Sequence, residues 1–267
     1  MKMRLSNFGF SKDIDAISRA GFDCIEMHYK EIMTMDDGEF KSVRSKLRSS
    51  GITAEVFNNP LPLDKQIISD DFDLSFYREH MKKGAERAAE LGARFCNFGN
   101  GKTRSLPIEG DISGARNKIV ECIHMLCEIN AAYNITVLVE PLSPVVSNFI
   151  LSMPEVLDLA DEIKCLNLVP FIDLRWHVDE NRSMDEIITY KNEIAHIHID
   201  NPLPKFPVRY IPRATDEYDY TPFFDALKKI CYKGIISCEA NTFVDFEQDL
   251  KDLINFFKHY DIQSYRA

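Results

Sequence analysis

No CxxC pair occurs among the seven cysteines of this 267-residue chain. The cysteines are odd in number and scattered at Cys24, Cys96, Cys122, Cys127, Cys165, Cys231 and Cys238. In a chain of this length that pattern reads as buried, reduced thiols of a cytosolic protein, not a disulfide framework. Long apolar runs are missing too: the longest are strand-length, so no membrane-spanning helix is expected. The opening "MKMRLSNFGF" lacks the apolar run of a signal peptide, and a cytoplasmic location is expected. Positive charge is in the minority, 32 Lys and Arg against 42 Asp and Glu, for a net charge of −10. That balance disfavours nucleic acid or an anionic membrane as the main partner. No Gly/Ser/Pro linker, low-complexity run or composition break divides the chain, which argues for one domain over residues 1–267.

What is present is a globular composition, 45% hydrophobic and 28% charged, with ample length to bury a core. Short apolar runs recur: "MRLSNF", "FDCIEMH", "ITAEVFN", "ARFCNFG", "ITVLVEP", "LVPFIDL", "IAHIHID" and "GIISCEA". Helical patterns lie between them. "SKDIDAISRAG" opens on Ser11, a candidate N-cap, and closes on Gly21, a candidate C-cap. "SFYREHMKKGAERAAELG" closes on Gly92, and "ISGARNKIVECIHMLCEINAAYN", "YTPFFDALKKICYKG" and "DFEQDLKDLINFFKHY" continue the alternation. Eight strand–helix units predict a single-domain (β/α)8 TIM barrel. A doubly wound sheet is the alternative, but its first βα turn is normally glycine-rich, and "NFGFSKD" is not GxGxxG.

A barrel places its chemistry at the C-terminal ends of its strands. Four successive runs end in Glu140, Asp173, His198 and Glu239. Apolar strands that end in carboxylates are costly unless the charge is paired or bound to a cation. Three acids and one imidazole converging at a barrel mouth form an oxygen/nitrogen ligand set suited to one divalent ion: Mn, Mg, Co or Zn. A single strand-end glutamate is more often a loop residue or an ion-pair partner; the fourfold coincidence is what points to metal. In "IAHIHIDNP", period two puts His196 and His198 on one face. His196 lies one layer deeper and reads as a hydrogen-bonded interior histidine. Trp176, the only tryptophan, and His177 suit either packing or a pocket wall.

"VLVEPLSP", "PFIDLRWH", "HIHIDNP" and "GIISCEA" resemble the xylose isomerase-like TIM barrels, the sugar phosphate isomerase/epimerase and AP endonuclease family 2 superfamily. "RAAELGARFCNFGNGKTRSLP" and "GFDCIEMHY" are similar to the fourth- and second-strand segments of one branch. The resemblance spans nearly the whole chain. It is specific for the superfamily and says little about the substrate. It implies Glu140, Asp173, His198 and Glu239 as metal ligands, with Glu140 and Glu239 also exchanging a proton at a carbon next to a carbonyl through a metal-stabilised enediolate. It implies a substrate contact at Arg209, in "RYIP". Glu26, His28, Asn58, Arg104 and His177 stand where they could bind sugar hydroxyls or a phosphate.

The sequence departs from the family pattern at several points. Where Asp-x-x-His is common after the sixth strand, Trp176 stands and His177 falls one later. "PRATDEYD" replaces a glycine-rich turn, "SPVVSN" replaces the Asn-Arg and further Glu that hexulose epimerases often carry, and Asn201 stands where an Asp is common. The expected function is therefore isomerisation or epimerisation of a small sugar or sugar phosphate, without the specific sugar. An inosose-type dehydratase on the same site and a degenerate sugar-binding barrel are the alternatives. An AP endonuclease is disfavoured, because strands three and four end without histidine. Homo-oligomers are common among similar proteins, but no segment identifies an interface.

Overall fold

The computed structural model describes residues 3–262. In chain order the elements are β1 (Arg4–Gly9), α1 (Ile14–Ala20), β2 (Cys24–His28), α2 (Tyr29–Thr34), α3 (Asp37–Ser50), β3 (Thr53–Asn58) and α4 (Leu74–Leu91). They continue with β4 (Phe95–Phe98), α5 (Ile112–Ala131), β5 (Thr136–Val139), α6 (Met153–Ile163), β6 (Leu168–Pro170) and β7 (Ile172–Asp173). Last come α7 (Leu174–Asp179), α8 (Asp185–Thr189), β8 (His196–Ile199), α9 (Thr221–Lys229), β9 (Ile235–Cys238) and α10 (Phe246–His259). The strands form one nine-stranded sheet in the order β6-β5-β4-β3-β2-β1-β9-β8-β7. The first and last members of that order are consecutive in the chain, which is the connectivity of a TIM barrel with one strand broken in two.

The break explains why nine strands stand where the sequence predicts eight. Pro170 has no N–H to give a ladder. The run "LVPFIDL" pairs with β5 up to Val139↔Pro170, passes Phe171, and pairs with β8 from Ile172↔Ile197. A second expectation changes as well. Ser11 does not cap α1: Ser11–Asp13 is a separate 3₁₀ turn and α1 begins at Ile14. The Asp13 carboxylate takes the Phe10 N–H at 2.9 Å, tightening the entry before the helix starts. Gly21 ends α1 at φ 113° and Gly92 ends α4 at φ 102°, left-handed positions that glycine occupies without steric cost.

The chain divides into two compact units. One holds the chain up to Glu26, Ser45–Thr53 and Phe171 onward. Its aromatic core stacks Phe224 on Tyr260 at 4.6 Å and sets Tyr220 edge-on to Phe256 at 4.9 Å. In it β7, β8 and β9 pair in parallel, and β9 pairs with β1. The other unit holds Met27–Arg44 and Ala54–Pro170. There α4 passes close over α2 at Gly84, where a Cβ would run into the Tyr29 ring. Arg87, on the same helix, donates to the carbonyls of Ile32 and Met35 at 2.6 and 2.8 Å, closing the end of α2. No helix among the described residues is long and apolar enough to cross a membrane.

Candidate metal centre

The period of β8 decides what it presents. Alternation sends Ile197 and Ile199 to one face and His196 and His198 to the other, and all four are buried. The two imidazoles meet edge to face with centroids 4.9 Å apart. Phe171, the residue between β6 and β7, packs on both, at 5.5 Å from His196 and 4.9 Å from His198.

Beside them lies Glu26 from β2, with no exposed surface. Its Oε2 is 3.1 Å from His196 Nε2, and both of its oxygens are 3.1 Å from His198 Nε2. Burial alone would raise the Glu26 pKa, but the two imidazoles outweigh it and hold the carboxyl well below the usual range. Burial also lowers the His196 pKa, with Glu26 opposing. For His198 burial works the same way but loses: Glu26 on one side and Glu239 on the other hold it well above the ordinary imidazole value. His198 Nδ1 lies 3.2 Å from Glu239 Oε2.

Glu239 follows β9 and begins a chain of charge. Arg209 Nη1 reaches Glu239 Oε2 at 2.9 Å, and its Nη2 reaches Asp173 Oδ2 at 2.9 Å. Burial pushes the Glu239 carboxyl up, but Arg209 and then His198 bring it down to about 2. The Arg209 guanidinium lies 5.1 Å from the Trp176 ring and 5.9 Å from Phe206, so aromatic faces hold the plane of the arginine. Arg209 also touches Asp200 Oδ2 at 3.3 Å. Asp200 is shared with a second buried arginine, Arg175, whose Nε donates to the same oxygen at 2.8 Å. Burial raises Asp200 to about 7 against the pull of both arginines. Arg175 further donates to the carbonyls of Asn201 at 2.5 Å, Pro204 at 2.6 Å, and Pro202 and Val208 at 3.3 Å.

In the other unit, Glu140 follows β5 and is buried. Arg104, in a 3₁₀ turn after β4, has no exposed surface and donates Nη2 to the Glu140 main-chain carbonyl. Burial lowers the Arg104 pKa to about 10, with Glu140 and Glu155 opposing. A methyl group added at Gly99 would run into Glu140 Oε2, so the glycine leaves room for that carboxylate. His28 ends β2 and Asn58 ends β3, as predicted for strand-end residues. His177 sits on α7 with Nε2 3.2 Å from Glu186 Oε2.

Two groups among the described residues, each within one unit, are able to hold a metal ion: Glu26, His196 and His198, and Asp173, His198 and Glu239. In each, one ligand atom per residue lies within 4.8 Å of every other. The second group holds three of the four residues singled out at the strand ends; the fourth, Glu140, belongs to the other unit. Sequence reasoning missed Arg175, Asp200, Phe171 and Phe206. They are marked by what they meet in space, as Arg175 meets Asp200 across 25 residues.

The family model described as "Xylose isomerase-like TIM barrel" matches residues 14–260. No curated protein matches the chain in sequence. Among solved structures, D-allulose 3-epimerase from Methylomonas sp. is 18% identical with a TM-score of 0.80, over 97% of this chain and 98% of that one. The 3-keto-D-glucoside 4-epimerase from E. coli is 16% identical with a TM-score of 0.79, over 97% and 100%. An AP endonuclease, family 2, from Brucella melitensis is 19% identical with a TM-score of 0.74, over 97% and 98%. At these identities the likeness carries the fold.

Proposed function

The chain belongs to the xylose isomerase-like TIM barrel family, and from that premise we propose that it is a divalent-metal-dependent isomerase or epimerase of a small sugar or sugar phosphate. The observation that carries the reading is the group Asp173, His198 and Glu239, with ligand atoms within 4.8 Å of one another; Glu140 is the fourth ligand in this reading. A point at bonding distance from all three, roughly 2.0–2.6 Å, requires pairs no farther apart than about 5 Å. Carboxylates with one imidazole are also the donor chemistry of Mn, Mg, Co or Zn. The sugar epimerases among the structural neighbours support the same class.

A divalent ion bound there supplies a Lewis acid that polarises a carbonyl and stabilises negative charge as it develops. The remaining work belongs to side chains. Glu239, held ionised by Arg209 and His198, enters as a carboxylate able to take a proton from the carbon beside the carbonyl. Glu140 is the second proton carrier, returning or removing a proton at that carbon. Arg209, aligned by Trp176 and Phe206, orients substrate oxygens. His28 and Asn58 are the candidates for hydroxyl contacts.

Three of the predicted substrate contacts take other roles in this reading. Arg104 is buried with its Nη2 on the Glu140 main chain and acts as a prop for that residue. His177 is paired with Glu186 and is withdrawn from the substrate. Glu26 is engaged by two imidazoles.

The test is the metal content of the purified protein beside a Glu239→Gln variant, followed by proton exchange in D₂O with ketoses, sugar phosphates and inososes. About one divalent ion per chain, weakened by the variant, and exchange next to the carbonyl are expected. Absence of binding after addition of Mn²⁺, Co²⁺ or Zn²⁺ overturns the proposal. Three zinc ions per chain would favour the nuclease instead.

A further inference from the structure

A carboxylate with no exposed surface is costly to bury, and well-packed apolar residues of the same volume would serve a core as well or better. Glu26 nevertheless sits beneath β8, with its oxygens spent on two imidazoles at 3.1 Å. The chemistry of that contact is restrictive. An ionised carboxylate only accepts hydrogen bonds. Both histidines must therefore present Nε2–H to it. In a neutral imidazole the other nitrogen then carries a lone pair. For His198 that lone pair is Nδ1, and what faces it at 3.2 Å is Glu239 Oε2, another acceptor. Two acceptors face to face are stable only with a cation or a proton between them.

We infer that Glu26 is a positioning residue for the metal: it fixes His198 in the Nε2–H tautomer and aims Nδ1 at the centre shared with Asp173 and Glu239. The inference rests on the metal-dependent reading above. His196 is the second donor that holds the carboxylate in register, and Phe171 fixes the planes of both rings. The arrangement matches the general habit of metal-bound histidines, whose outer nitrogen donates to a carboxylate. It also assigns the Glu26, His196 and His198 group: it is a hydrogen-bonded clamp and not a second ion site, because its three residues are joined pairwise through Glu26 and are buried.

The experiment uses the full chain and two readouts. Imidazole tautomers are read by long-range ¹⁵N–¹H correlation on the Zn²⁺-loaded protein, with His196→Gln for assignment. Mn²⁺ affinity and stoichiometry are measured by titration of wild type, Glu26→Gln and Glu26→Asp. Expected are a proton on Nε2 and metal on Nδ1 of His198, one Mn²⁺ per wild-type chain, and about 10–100-fold weaker binding in Glu26→Gln, with Glu26→Asp between. A proton on His198 Nδ1, or wild-type affinity in Glu26→Gln, overturns this role while leaving the metal centre standing. Two Mn²⁺ per chain, one lost in Glu26→Gln, would make Glu26 a ligand and also overturns it. A wild-type chain that binds no Mn²⁺ defeats the metal reading itself. If Glu26→Gln does not fold, the tautomers of the wild type still decide.

Discussion

Glu26 and Glu239 touch the same imidazole from its two ends. Glu26 meets Nε2 of His198 and Glu239 meets Nδ1, at 3.1 and 3.2 Å. Their surroundings differ. The Glu26 side chain is fully enclosed and its bonds go to rings that Phe171 holds in place. The side chain of Glu239 is 27% exposed, and its partner Arg209 also pairs with Asp173 and Asp200. One carboxylate is sealed among rings, and the other keeps an edge open to solvent. The contrast teaches that residue type and strand position do not assign a role; solvent access and the identity of the second partner do.

The sharpest way to break the pair is Glu239→Gln. Removing the proposed proton carrier is expected to lower solvent-proton exchange by about 10²–10⁴-fold, with thermal unfolding close to wild type; stopped-exchange measurement in D₂O checks it. Next in size is Arg175→Ala, on the Asp200 side of the network. It leaves the Asp200 carboxylate buried and underpaired, and a loss of about 3–5 kcal/mol in denaturant unfolding is expected. Gly99→Ala sharpens the comparison from the other unit. The added methyl displaces only the mobile end of Glu140, so stability should stay within about 1 kcal/mol of wild type. Proton exchange should nevertheless fall by about 10²-fold, as for a misplaced reacting group. Smallest is Arg19→Ala. Arg19 pairs with Glu247 with 62% and 60% of the two side chains exposed, and a loss below about 1 kcal/mol in denaturant unfolding is expected for so exposed a pair.

The strands and longer helices were legible because their patterns are local. β8 is written as alternating His and Ile, and α4 ends at a glycine that takes φ 102°. Glu140, Asp173, His198 and Glu239 stood out as candidates because each ends an apolar run, and a charge in that place needs a reason. Glu26 was readable as a strand-end acid, but not as the support of His198, because that contact spans 172 residues. The partners of Trp176 and His177 were not readable: one residue apart, the histidine lies beside Glu186 while the tryptophan faces Arg209. The ninth strand depended on a partner change at Pro170, and a proline in sequence marks a break without saying which neighbour comes next.

Arg175 is bound to Asp200 and to four main-chain carbonyls between Asn201 and Val208. Its grip on the stretch from Asn201 to Val208 falls on the backbone, and none of that depends on the side chains there. The exposed tips at Leu203 and Lys205 are therefore free to vary in size and charge while Arg209 keeps its place at the end of the same loop. The loop tolerates a change of side chain where it would not tolerate a change of length, because its anchor counts carbonyls and not residue types.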